Sequence, residues 1–152
     1  YILIAGVVAL ILVALTVFLR YRSKAALLPI IVATSEIIIT LGIAAFLKWD
    51  LDLPSIAGIL AAIGTGIDDQ IVILDEASEQ SKETLSVKQK LKRAFAIVTG
   101  AYLTTVASLV PLWWAGAGLL KGFVFTTLVG ITLGVVITRP AFADLVREIK
   151  KD

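Results

Sequence analysis

The sequence has no cysteine, no histidine and no methionine, and little charge: 17% of its 152 residues, against about 25% in an ordinary soluble domain. Each absence excludes something. Without cysteine there is no disulfide, no thiolate nucleophile and no thiolate-bound metal. Without histidine the usual zinc sites and any Ser/His/Asp triad are gone. Without methionine, Tyr1 is not a natural start, and the sequence is expected to be a piece of a longer polypeptide. The charge is also unevenly placed. Long stretches carry none, 59% of the residues are apolar, and mean hydropathy is +0.97. A soluble surface could not tolerate such stretches, so the bilayer is the expected solvent.

What is present reads as an all-α polytopic membrane protein, a single transmembrane domain over 1–152 with about five crossings. A crossing takes roughly 20 apolar residues, which predicts spans near 1–19, 25–47, 55–77, 94–114 and 119–138. The basic run Arg20-Tyr21-Arg22-Ser23-Lys24 follows the first apolar stretch, whereas in a signal peptide the charge precedes it. Trp49 is placed as an interfacial anchor, and Pro54 suits the first turn of a helix, where its missing N–H is not needed. Ser86-Val87-Lys88-Gln89 matches a capping box. It opens an amphipathic stretch with Val87, Leu91, Ala94, Phe95 and Val98 on one face, so 78–93 reads as a cytoplasmic linker helix. Arg139-Pro140 is expected to end the fifth span, because proline disrupts a helix interior, and 139–152 then forms a cytoplasmic tail in which 141–150 can form another short interfacial helix.

Alternating the loops across the membrane puts 12 of the 14 Lys and Arg on one side, leaving only Lys48 and Lys121 on the other. The positive-inside rule makes the basic side cytoplasmic, so the protein is expected to be a multi-pass protein of the cell membrane.

Three acids fall inside spans: Glu36, Asp68 and Asp69. Asp68 lies roughly 21 Å along its helix from Pro54, and Glu36 is also near mid-span. An acid there costs about 2.5–3.5 kcal/mol even on lenient scales. It must be protonated, paired or reached by water, and no Lys or Arg is expected within a span to pair with it. Two adjacent carboxyls also repel when both are ionised. A group poised between charged and neutral suits proton passage, so Asp68 and Asp69 are the candidate proton relay. Glu36, Thr65, Thr104 and Thr105 are possible additional intramembrane polar groups. A structural acid bonded to Thr34, Ser35 or Thr40 explains Glu36 as well. Gly58, Ala62 and Gly66 form a small-residue row, and Gly130 with Gly134 forms another, of the kind that lets helices approach closely. Plain packing is a sufficient reading of the second.

Leu53-Pro54-Ser55-Ile56-Ala57-Gly58-Ile59, followed by Gly64-Thr65-Gly66-Ile67-Asp68-Asp69-Gln70-Ile71-Val72-Ile73, resembles the fourth transmembrane helix of the SecD family in its archaeal form. Leu103-Thr104-Thr105 and Lys121-Gly122-Phe123 resemble later motifs of the same family, which belongs to the resistance-nodulation-division superfamily. The resemblance covers essentially the whole chain. It implies a six-helix membrane domain whose first helix, with a large extracytoplasmic domain, precedes Tyr1. It also implies an accessory role in late-stage protein export driven by the proton-motive force. The implied partners are SecF, a SecY/SecE-type translocon, the exported polypeptide and membrane lipids. No cofactor is implied beyond the coupling ion, H⁺ or Na⁺, and neither an enzymatic activity nor a nucleic-acid partner is expected. Asp68 matches the family's intramembrane aspartate, while Asp69 stands where bacterial members commonly have Ala. Bacterial members also often carry Asp-Ala-Asn before Leu-Thr-Thr, where this chain has Gly100-Ala101-Tyr102. By the same resemblance, the missing intramembrane cation would come from SecF.

Two other functions use similar residues. A proton-driven exporter of small molecules or lipids in the same superfamily would carry the same acidic helix. An intramembrane aspartyl protease has a Gly-x-Gly-Asp motif, but here the spacing is off by one, and Glu36 is the only acid on another span to serve as second catalytic group.

Overall fold

The computed structural model describes residues 2–21, 26–78, 85–116 and 118–149. The expected all-α polytopic membrane bundle is what it shows. The helices are α1 (Ile2–Tyr21), α2 (Leu27–Phe46), α3 (Leu53–Ser78), α4 (Val87–Ala115) and α5 (Leu119–Leu133). A π-helical turn over Gly134–Thr138 then leads into α6 (Arg139–Ile149). Among the described residues, four stretches are long and apolar enough to cross a membrane: α2, α3, α4 and the continuous Leu120–Ile149. The described apolar part of α1, Gly6–Tyr21, is shorter.

The last span departs from expectation. Arg139-Pro140 does not end it: the helix runs on from α5 to Ile149. The π turn is the reason. The Arg139 N–H reaches back five residues to the Gly134 carbonyl, so the ladder has already changed register where Pro140 fails to donate. The extra residue in the turn also resets the buried stripe. Gly134 and Thr138 face inward within it, and Arg139, Phe142, Ala143 and Val146 after it. Two consecutive residues, Thr138 and Arg139, thus both point into the bundle.

α3 is the central helix and packs most extensively against α5. Gly58 and Ala62 of its small-residue row face that partner, while Gly66 faces the side chains of Glu36 and Arg139. A Cβ at Gly58 would collide with the Phe123 carbonyl and the Thr126 hydroxyl, and one at Gly130 would come within 2.6 Å of the Ala62 side chain. The closeness lets buried hydroxyls bond across the seam: Thr126 Oγ1 donates to the Ser55 carbonyl at 2.7 Å and Thr127 Oγ1 to that of Gly58 at 3.2 Å.

Both ends of the bundle are tied. At one end Asp52 caps α3, accepting from the Ser55 N–H at 2.9 Å. Trp49 stacks on Phe125, with ring centroids 4.0 Å apart, so it ties a loop to α5. At the basic end Arg20 and Tyr21 both bond Asp75 at 2.6 Å, joining α1 to α3. The capping box at Ser86 and Gln89 forms as expected. Leu91, Ala94 and Val98 pack with Ile73, Leu74 and Phe142. Residues 87–93 are therefore the first turns of α4 itself, and 79–84 of the expected linker lie outside the described residues.

Candidate functional site

Glu36 lies nine residues from Leu27, the basic end of α2, and Asp69 nine residues from Ser78, the basic end of α3. At 1.5 Å per residue both sit roughly 14 Å inside their helices. Between them lies the Arg139 guanidinium. Nη1 donates to Glu36 Oε2 at 2.9 Å, and Nε donates to Asp69 Oδ2 at 3.1 Å. Thr138 Oγ1 sits beside both, accepting from Arg139 Nη1 at 2.9 Å and 3.2 Å from Glu36 Oε2. The Arg139 side chain is fully buried, and those of the two acids are nearly so.

This corrects the expectation that no cation lies within a span. Arg139, counted among the loop charges, is inside, so the basic side holds 11 of the 14 Lys and Arg rather than 12. The intramembrane cation comes from this chain itself and not only by implication from a partner. Helical side chains lean toward the N-terminal end of their helix, which carries the guanidinium inward instead of out to the interface. Two glycines leave the space it fills. A Cβ at Gly134 would overlap the guanidinium, and one at Gly66 would lie 3.1 Å from Arg139 Nη2 and 3.2 Å from Glu36 Oε2. Gly134, read from the sequence as a packing residue, thus makes room for an ion.

The adjacent aspartates are divided. Successive helical residues point about 100° apart. Asp69 enters the core, whereas Asp68 is exposed in a groove of about 260 Å³ between α1 and α3, beside Leu12, Val13, Thr16 and Gly64. The expected relay pair is thus split: Asp68, the match to the family's intramembrane aspartate, faces the groove, and Asp69 holds the buried position. Glu36 is paired with Arg139 and Thr138, not with Thr34, Ser35 or Thr40: Thr34 and Ser35 bond the carbonyls of Ile30 and Ile31, and Thr40 bonds the Glu36 backbone carbonyl. Thr65, Thr104 and Thr105 each donate to the carbonyl four residues back, at 3.0, 2.9 and 2.9 Å. None of them joins the centre. Sequence reading missed Thr138, Arg139 and Gln70, the last fully buried one residue beyond Asp69. Gly134, five residues before Arg139, was the available signal for the cation.

The arrangement has an odd charge count. Two carboxylates and one guanidinium carry a net −1 when all are ionised, in a region where an uncompensated charge is costly. One proton makes the centre neutral. The three charges also come from three helices, so a change of charge acts on how α2, α3 and the last helix pack.

A family model described as protein export membrane protein SecD/SecF, C-terminal, matches residues 1–151. The protein-export membrane protein SecD of Methanocaldococcus jannaschii is 46% identical over 149 residues, covering 97% of this chain and 37% of that protein. SecD of Thermococcus gammatolerans is 45% identical, covering 95% of this chain and 29% of its own length. The protein translocase subunit SecD of Synechocystis is 34% identical, with 88% and 29% covered. The chain thus spans about a third of the length of these relatives. With a membrane bundle of this form and a match along nearly its whole length, the chain belongs to the SecD/SecF C-terminal family of protein export membrane proteins.

Proposed function

We propose that this chain is the membrane part of an accessory subunit of the Sec protein-export machinery, and that it couples the proton-motive force to a late stage of translocation through Glu36, Asp69 and Arg139. The observation that carries this reading is the pair of carboxylates on one buried guanidinium. In the resting form one proton is shared by the two acids beside Arg139, and the centre is neutral. Release of that proton restores a net negative charge, weakens the packing of the three helices around it, and favours a different arrangement until a proton returns. The π turn beside Arg139 gives the last helix a joint at that point.

Asp68, in its groove, stands between this centre and whatever lies against α1 and α3, and serves as the entry or exit group of the relay. The basic side faces the cytoplasm. SecF and a SecY/SecE-type channel are the partners, the exported polypeptide is the cargo, and lipid covers the remaining apolar faces. Asp68, the aspartate of the protease-like motif, faces the α1–α3 groove while Glu36 is held by Arg139 inside the bundle, so the two acids do not converge on one shared water, which argues against the proteolytic alternative.

The test is export into vesicles by the full complex under an imposed proton gradient. Asp69→Asn and Glu36→Gln should each remove the stimulation by the gradient while the complex still assembles. Unchanged stimulation in both would end the reading. A stimulation that follows a Na⁺ gradient instead would change the ion. Gradient-driven extrusion of a small molecule or lipid without cargo protein would favour the exporter function.

A further inference from the structure

Gln70 is fully buried, and neither atom of its carboxamide has a hydrogen-bond partner among the described residues. Leaving a buried amide unpaired costs about 1–3 kcal/mol, so an idle glutamine at this position would be a standing defect. Two other buried atoms share its condition: Glu36 Oε1 and Arg139 Nη2. Nη2 lies 3.1 Å from Asp69 Oδ2, within ion-pair distance but without a directed hydrogen bond.

Gly66 brings Glu36 Oε1 and Arg139 Nη2 to one point, and helix geometry directs the Gln70 side chain toward it. Gln70 stands one turn after Gly66 on the same face of α3, and its side chain leans back over that glycine. Gly66 has no side chain to intervene, and its missing Cβ would sit 3.4 Å from Glu36 Oε1 and 3.1 Å from Arg139 Nη2. The set contains two acceptors, Glu36 Oε1 and Gln70 Oε1, and two donors, Gln70 Nε2 and Arg139 Nη2. That is the complement of a water molecule, which offers two hydrogens and two lone pairs and takes two to four polar partners when buried.

We infer that Gln70, Glu36 Oε1 and Arg139 Nη2 form a binding site for one or two water molecules, and that Gln70 is the positioning residue that holds this water against Glu36. When Glu36 is ionised, the water donates to Oε1. When Glu36 is protonated, the new O–H donates to the water, whose hydrogen bonds pass to the Gln70 carbonyl. On release the Glu36 O–H bond breaks as an O–H bond forms on the water, which passes one of its own protons on to the exit group of the relay, Asp68, and is left neutral; uptake runs the same steps in reverse. The inference rests on the proton-coupling reading and adds the carrier of the proton within the centre. The titratable and charged groups facing this point are Glu36 from α2, Asp69 from α3 and Arg139 from the last helix. The charges of α4 lie within its first two turns, Lys88 to Arg93, and α5 carries only Lys121, at the opposite side of the membrane.

The experiment compares wild type, Gln70→Met, Gln70→Asn and Glu36→Gln in the full complex by difference infrared spectroscopy on changing pH, alongside gradient-driven export. The Glu36 carboxyl C=O stretch is identified as the band lost in Glu36→Gln. Buried water is identified as a sharp O–H stretch that shifts in oxygen-labelled water. Gln70→Met keeps the length of the side chain and removes its hydrogen bonds. It should abolish the water band, move the carboxyl band to higher frequency and slow gradient-driven export roughly five-fold, the equivalent of one hydrogen bond. Gln70→Asn should keep a weakened water band and part of the rate. The inference is overturned if Gln70→Met leaves both bands and the rate unchanged and raises the melting temperature, as removal of an idle buried amide would. Should Gln70→Met fail to fold, wild type without any water band at the pH transition overturns it equally. If Glu36→Gln and Asp69→Asn both leave export fully responsive to the gradient, the coupling reading fails, while the water band still decides the binding site.

Discussion

The two ends of the α3–α5 seam use the same spacing for different ends. At Gly58, absence of a side chain lets backbones meet, and neutral hydroxyls of Thr126 and Thr127 bond carbonyls across the contact. At Gly66, two turns further, and at Gly134 opposite, absence of a side chain leaves space for a guanidinium and two carboxylates. The first end is a clamp whose bonds are complete and unaffected by protons. The second has more acid than base, so its packing depends on a proton. Small residues at four-residue spacing therefore say where helices come close, not whether the space between them is filled by backbone or by charge.

Removing the cation should break this contrast most strongly. Arg139→Met leaves two buried acids unpaired and should destabilise the bundle by about 3–5 kcal/mol at neutral pH. Acidification should relieve much of that loss as the acids become neutral, a pH dependence that Thr126 variants lack; thermal melts across pH would show it. Filling the glycines comes next. Gly134→Ala and Gly58→Ala should each cost about 1–3 kcal/mol through overpacking. Only Gly134→Ala should also abolish the response of export to a proton gradient, because only there does the added methyl displace a charge. Equal loss of the response in both would erase the distinction between clamp and centre.

Thr126→Val should cost less, about 0.6 kcal/mol and at most about 1.7, the range for hydrogen bonds between membrane helices, with the gradient response intact. The smallest effect belongs to Asp52, at the mouth of the seam. Hydrogen bonds from the Ser55 hydroxyl and from the Ser55 N–H hold its carboxyl below the ordinary aspartate range. A lowered folded-state value means its stabilising effect is present above that range and lost as pH falls through the folded value. Asp52→Ala should therefore speed amide exchange in the first turn of α3 at neutral pH and make no difference in strong acid.

Much of the fold was legible. The long apolar runs and the capping box at Ser86 are local signals, and each corresponds to a helix or a helix start in the structure. The centre was legible only in part. Glu36 and Asp69 stood out because acids are conspicuous in apolar runs. Arg139 did not, since an arginine before a proline at the end of an apolar stretch looks like a membrane exit. Gln70 and Thr138 gave no signal, being neutral polar residues whose importance depends on what faces them.

Sequence alone determined the solvent, the helical class and which acids had to be accounted for, because burial of charge and unpaired backbone is costly in hydrocarbon whatever the packing. Tertiary structure decided which aspartate faces inward and which helix supplies the cation. Those choices depend on a one-residue register change in the last helix and on the room left by glycines on two separate helices, and neither is encoded within any single stretch of chain.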